Sequence, residues 1–224
     1  MKGIYSRYLL THLHIILLIF QEDFSFMTQQ YFIAYKPFQV ITQFSPSDNK
    51  KTLKDVFKVA PDVYPVGRLD YDSEGLLILT NDNFFKHRLT HPSFQHEKEY
   101  YVQVEGAISS DAILQLQSGV DISVDGKTYR TRPAKVSLLI NEPSLPQRIP
   151  PIRFRKAIPT SWISIAIHEG KNRQVRKMTA ATGYPTLRLV RYRIGKMTID
   201  GLEAGDIREM SKAEAYKRTG LPFS

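Results

Sequence analysis

The stretch GLLILT at positions 75–80 sets four large aliphatic side chains side by side, Leu76, Leu77, Ile78 and Leu79, with no polar residue between them. A strand with one wet face alternates apolar and polar, so an unbroken run of this length predicts a strand buried on both sides. The fold must be built around it. Directly before it stands GRLDYDSE, with Arg68, Asp70 and Asp72 at the head of the run. Directly after it, NDNFFKHRL reads as a helix that Asn81 or Asp82 can cap.

The other segments supply the surroundings. YFIAYK and FQVITQF read as short strands about a turn at Lys36-Pro37, KKTLKDVF as a helix, and VYPVG as a strand ending at the two acids. KEYYVQVEG alternates, with Tyr100, Val102 and Val104 on one face. SSDAILQLQSG is a helix closing at Gly119, and RPAKVSLLI is a further strand. Asn141–Pro159 holds five prolines and four basic residues and reads as an exposed loop. SWISIAIHEG is a strand with Ile163, Ile165 and Ile167 on one side. NRQVRKMTAATG is a helix closed at Gly183, TLRLVRYRIG a strand rich in arginine, and SKAEAYKR a last helix. Strands and helices alternate irregularly. The expected class is therefore α+β, with a mainly antiparallel central sheet flanked by helices.

Charge narrows the partner. The formal net charge is +9, with 11 Lys+Arg against 15 Asp+Glu up to Gly126 and 20 against 7 from Lys127 onward. A positive excess confined to one half predicts a polyanionic partner, nucleic acid first. The chain has no cysteine. This excludes disulfides, a thiol nucleophile and thiolate metal sites, and it suits the cytoplasm. YLLTHLHIILLIF at 8–20 is apolar but too short to span a bilayer, and no small-residue cleavage site follows it. Residues 1–26 are expected to lie outside the folded unit, which runs from 27 to 220, with Met27 as a candidate natural start. No membrane association is expected.

Three motifs hold chemistry, each with a plainer reading. Asp70 could form a buried salt bridge with an arginine, or Asp70 and Asp72 could serve a metal-dependent aspartyl phosphatase, whose first acid attacks phosphorus while Mg²⁺ bridges the two. The acid-poor second half argues against the latter. In HEGKNRQVRKM, Glu169 leads into a helix carrying Arg173, Arg176 and Lys177; by itself this is a phosphate clamp on a wet face. Tyr100 reads by default as a core tyrosine, and alternatively as a ring on which an unstacked base can lie.

Together, GRLDYDSEGLLILTND, KEYYVQV, EGKNRQVRKM and LRLVRYRIG resemble, in order and spacing, the pseudouridine synthases that modify ribosomal RNA, over about Tyr31 to Met210. The loop PPIRFRKAIPTSW is most similar to a large-subunit subgroup of that branch. The resemblance implies the pseudouridine synthase catalytic fold and isomerisation of uridine to pseudouridine, with no cofactor and no metal. It implies that Asp70 is the catalytic aspartate, acting at C6, at C1′ or on the C2′ proton, and that Arg176 pairs with it. Tyr100 would stack on the base and help remove the C5 proton. Leu189 would close the pocket, with Arg68 at its rim. Lys98, Arg173 and Lys177 are expected RNA contacts, as are Arg188, Arg191 and Arg193 on the strand and Arg153, Arg155 and Lys156 in the loop. The implied partner is large-subunit (23S) ribosomal RNA near the peptidyl-transferase centre, bound by a monomer. The small N-terminal S4-type RNA-binding domain of many relatives is expected to be absent. A noncatalytic protein of ribosomal RNA binding or ribosome assembly is the chief alternative.

Overall fold

The computed structural model describes residues 28–152 and 157–222. The expected extension at 1–26 and the loop residues Arg153, Arg155 and Lys156 lie outside the described residues. The chain opens with β1 (Tyr31–Lys36), β2 (Val40–Ile41), β3 (Lys51–Thr52), β4 (Tyr64–Pro65) and β5 (Glu74–Thr80). Helix α1 (Asn83–Thr90), β6 (Lys98–Glu105) and α2 (Ser110–Ser118) follow, then β7 (Asp121–Val124), β8 (Lys127–Arg130), β9 (Lys135–Leu139) and β10 (Thr160–Ile167). The last part is α3 (Gln174–Ala181), β11 (Thr186–Ile194), β12 (Met197–Thr198), β13 (Ile207–Met210) and α4 (Lys212–Thr219).

One large sheet runs β13-β1-β5-β11-β6-β10-β9, with β12 added on β11 and β4 on β5. Every pairing in it is antiparallel except β5 with β11, which run parallel. The fold is thus α+β with a mainly antiparallel sheet, as the pattern predicts. Strand β5 is buried at every residue. Its alternate side chains enter two separate cores. Leu76 and Ile78 join Tyr31, Phe85 of α1 and Tyr216 of α4, while Leu77 and Leu79 join Val40, Leu53 and Phe57 on the other side. Each such side chain contributes roughly 1.5–3 kcal/mol of transfer free energy, which is why an all-apolar strand settles at this position. A third core lies under β6, β10 and β11 and includes Val102, Ile163, Ile165 and Met178. The Asp82 carboxylate caps α1 through the Phe85 amide at 3.0 Å and also accepts from the Tyr31 and Tyr216 hydroxyls at 2.6 and 3.1 Å.

Two local readings differ from the structure. KKTLKDVF forms no α-helix. Lys51 and Thr52 pair in parallel with Val40 and Ile41, and only a single 3₁₀ turn follows, at Leu53–Asp55. Asp55 closes that turn by accepting from the Thr52 amide at 2.7 Å, and Leu53 and Phe57 then insert into the core; burial of these two apolar anchors outweighs helix propensity here. The β7–β8 hairpin was not expected. Its turn, Asp125-Gly126, takes φ of 50° and 75°, and Asp-Gly between alternating residues is a known hairpin signal.

Lys36 ends β1 fully buried, and its Nζ donates to the carbonyls of Val40 at 2.7 Å and Pro37 at 2.9 Å. Burial pushes its pKa down to about 7, against the opposing pull of Glu74 and Asp72. A free lysine holds its proton to about pH 10.4. Between these values the unfolded chain binds more protons than the folded one, so stability rises with pH from about 7 to about 10 by up to roughly 1.4 kcal/mol per unit. Above pH 10 the slope reverses, because burial raises the pKa of Tyr31 and Tyr35 and only their unfolded forms ionise. Urea midpoints at pH 7, 8 and 9 should climb more steeply for the native sequence than for Lys36→Met, in which Lys98, lowered to about 8, leaves a rise only at the upper end.

Candidate active site

A cleft of ≈ 730 Å³ opens beside the parallel β5–β11 pair. Its walls come from segments far apart in sequence. The floor is set by register: Arg191 of β11 lies between Gly75 of β5 and Tyr100 of β6, and Leu189 lies opposite Val102. Tyr100, Leu189 and Arg191 all line the cleft. Gly75 makes this close approach possible. A Cβ there, at φ 102°, would stand 2.4 Å from the Arg191 carbonyl oxygen.

Asp70 sits on the loop between β4 and β5, half-buried, and lines the cleft. The loop is fixed from both sides. Thr42 Oγ1 donates to the Leu69 carbonyl at 2.6 Å, and the Leu69 amide returns a bond to that oxygen at 3.2 Å. The Ser73 amide donates to the Asp70 carbonyl at 3.0 Å, and the Gln39 amide to the Tyr71 carbonyl at 2.9 Å. Among the described residues the Asp70 carboxylate has no hydrogen bond and no ion pair.

The arginines take the neighbouring acid. Arg173 holds Asp72 through two parallel bonds of 2.7 and 2.8 Å. Arg176 places Nε 3.3 Å from the same carboxylate and donates to the Asp72 carbonyl. This corrects the expected Asp70–Arg176 pair: Arg176 binds Asp72. Burial pushes the Asp72 carboxyl up, but the Arg173 hydrogen bonds and the charges of Arg176 and Arg173 hold it below the usual carboxylate range. The charge of Asp70 still acts on both guanidinia, so a cationic pair stands near it without touching it. Arg173 adopts a left-handed backbone, φ 53°, at the start of α3. A non-glycine residue there costs about 1 kcal/mol or more, and the bidentate Asp72 contact offsets it. With both Asp72 oxygens engaged by guanidinia, two positive charges stand close by where a cation bridging the two acids would have to sit, which disfavours the phosphatase reading.

Other expected contacts divide. Arg68 is exposed on the cleft rim. Lys98 shares the Tyr100 face of β6 and lines the cleft; burial, aided by the nearby Arg191 charge, pushes its pKa down to about 8. Lys177 is half-buried on α3. Arg191 is buried, donating to the Leu76 carbonyl at 2.8 Å and the Arg68 carbonyl at 3.4 Å. Arg188 and Arg193 depart from the surface role expected of them. Arg188 is 6% exposed and grips Glu74 through bonds of 3.0 and 2.9 Å. Arg193 bonds Glu99 and Glu97, each at 2.7 Å. Strand alternation alone could not reveal these carboxylates, which come from β5, from β6 and from the residue before β6. Asp72 as a clamp was also missed, as was Tyr129. The latter rides the unforeseen hairpin to the cleft wall and donates to Glu169 at 2.6 Å.

Comparison with known proteins follows the geometry. The family described as RNA pseudouridylate synthase matches residues 30–181. The chain is 46% identical over 191 residues to ribosomal large subunit pseudouridine synthase E of Vibrio vulnificus (strain CMCP6), covering 85% of this chain and 79% of the relative. It is 50% identical over 169 residues to the enzyme of the same name from Xanthomonas axonopodis pv. citri (strain 306), covering 75% and 86%. It is 37% identical to ribosomal large subunit pseudouridine synthase B of Bacillus subtilis (strain 168), covering 85% and 72%. A crystal structure of a pseudouridylate synthase superposes with a TM-score of 0.69 at 26% identity, covering 86% of this chain and 74% of that one.

Proposed function

This chain belongs to the RNA pseudouridylate synthase family, and we propose that it converts a single uridine of large-subunit (23S) ribosomal RNA, near the peptidyl-transferase centre, with Asp70 as the acting carboxylate. The activity is an isomerisation. The bond from C1′ to N1 breaks, the uracil turns, and C1′ bonds to C5; C5 loses a proton and N1 gains one, so no atom is imported.

The observation that carries the assignment to Asp70 is its carboxylate, unpartnered at the mouth of a cleft floored by Tyr100 and Leu189. The guanidinia of Arg173 and Arg176 stand near it but are bound to Asp72, which leaves the Asp70 oxygens free to react. Tyr100 offers a ring on which the uracil can stack. Lys98, two residues away on the same face with its pKa near 8, is placed to assist the phenol in taking the C5 proton. A uridine in folded RNA has to leave its stack to reach this floor, at a cost of a few kcal/mol that stacking and phosphate contacts offset. Arg68, Arg132 and Lys171 are exposed around the opening and suit the phosphates.

The reading takes the protein to act as a monomer and in the cytoplasm. The test is pseudouridine mapping of ribosomal RNA from a strain lacking the gene. One missing 23S site, restored by the native gene, is the expected result. An unchanged modification pattern would leave the assembly-protein reading standing in its place.

A further inference from the structure

Residues 83–96 contain no aspartate or glutamate, but one lysine, one arginine and three histidines. Of the acids that flank this stretch in the chain, Asp82 is buried and Glu97 is paired with Lys135 and Arg193. Two large aromatic rings stand on it in the open: Phe84 is 50% and Phe94 39% exposed. The Arg88 guanidinium lies between them, 5.3 Å from the Phe84 ring centre and 5.1 Å from that of Phe94. His91 packs edge-on to Phe94 at 6.0 Å, and His96 stacks on it at 6.4 Å. Nearby, Lys86 covers the ring of Tyr64, itself 51% exposed.

The patch runs into the cleft without a break. Thr90, His91, Gln95 and His96 belong to both. It is also fixed in place, since His168 Nδ1 donates to the Gln95 carbonyl at 2.8 Å and His96 Nε2 to the Arg88 carbonyl at 3.0 Å. Exposed rings spend no core-packing energy on the fold. Flat aromatic faces with a guanidinium wedged between them offer stacking to any base and charge to its phosphate, which is how single strands are held without sequence readout.

We propose that Phe84, Arg88 and Phe94 form a stacking platform for unpaired nucleotides of the RNA that flank the uridine entering the cleft. This rests on the RNA-modifying reading of the adjacent cleft. The absence of acids favours a nucleic-acid occupant over a basic protein segment, and the shared wall with the cleft puts it beside the target.

The test compares two transcripts of a ribosomal RNA hairpin, one with unpaired nucleotides flanking the target uridine and one with those positions base-paired. The native protein is expected to bind the unpaired form about tenfold or more tightly, and Phe84→Ala/Phe94→Ala to lose most of that preference. Equal losses on both transcripts, or none, would overturn the platform. A second measurement needs no variant: 4-thiouridine placed in the flank should photocrosslink the native protein within residues 83–96, and crosslinks confined to other segments would count against it. A platform that serves a ribosomal protein would leave both RNA readouts unmoved and so also overturn the proposal. Because both assays read binding, a native protein that binds the unpaired transcript yet forms no pseudouridine would undo the reading of the cleft while the platform stands.

Discussion

Replacing Asp70 by asparagine is expected to lower pseudouridine formation by about a thousandfold or more while RNA affinity stays within about threefold. Asparagine keeps the size of the side chain, and the loop is held by backbone bonds at Leu69, Asp70 and Tyr71 and by Thr42, so the turn should survive. What is removed is the negative charge and its lone pairs. Losing a group that acts on the reacting atoms has an effect of this size, whereas uniform binding passes through other residues. Single-turnover tritium release from 5-[³H]uridine in a transcript, with filter binding in parallel, separates the two. Activity within tenfold of native would remove Asp70 from the chemistry.

Arg188→Ala should destabilise the protein by about 3–5 kcal/mol, the range found when one partner of a buried pair is deleted. Glu74 is 2% exposed and opens β5; without Arg188 its buried carboxylate would lose its only ion pair among the described residues. For a chain of this size that corresponds to a fall in Tm of about 10 °C or more. The double variant Glu74→Gln/Arg188→Met should recover much of the loss, since it removes the stranded charge as well. The alternative expectation, that Arg188 grips RNA, predicts the opposite pattern: weaker RNA binding with Tm unchanged. Calorimetry and an RNA titration on the same samples decide between them.

These two residues mark where local reading succeeds and where it stops. Asp70 was legible because its motif is contiguous: the acid, the turn and the apolar run that follows are neighbours in the chain. Tyr100 was legible by alternation, since register in a strand fixes which face a side chain joins, whereas Leu189 came from the family resemblance. Arg188, Arg191 and Arg193 are just as visible in the sequence, and three positive charges on one strand read as a nucleic-acid surface. The Glu74 carboxylate that grips Arg188 and the Leu76 carbonyl that engages Arg191 lie more than a hundred residues earlier in the chain. Nothing in the local pattern of β11 announces them.

By itself the sequence determined the buried strand at 74–80, the capped helix after it, the alternating strand at 98–105 and the place of Asp70 at the head of an apolar run. Each follows from interactions among residues a few positions apart, where periodicity, caps and turn chemistry act directly. Only the tertiary structure decided which acid the two arginines of α3 hold, and which arginines of β11 are spent inside the molecule. Those outcomes depend on β11 lying parallel to β5 at the one glycine where the backbones can touch. A desolvated charge takes whichever opposite charge the packed sheet brings within reach.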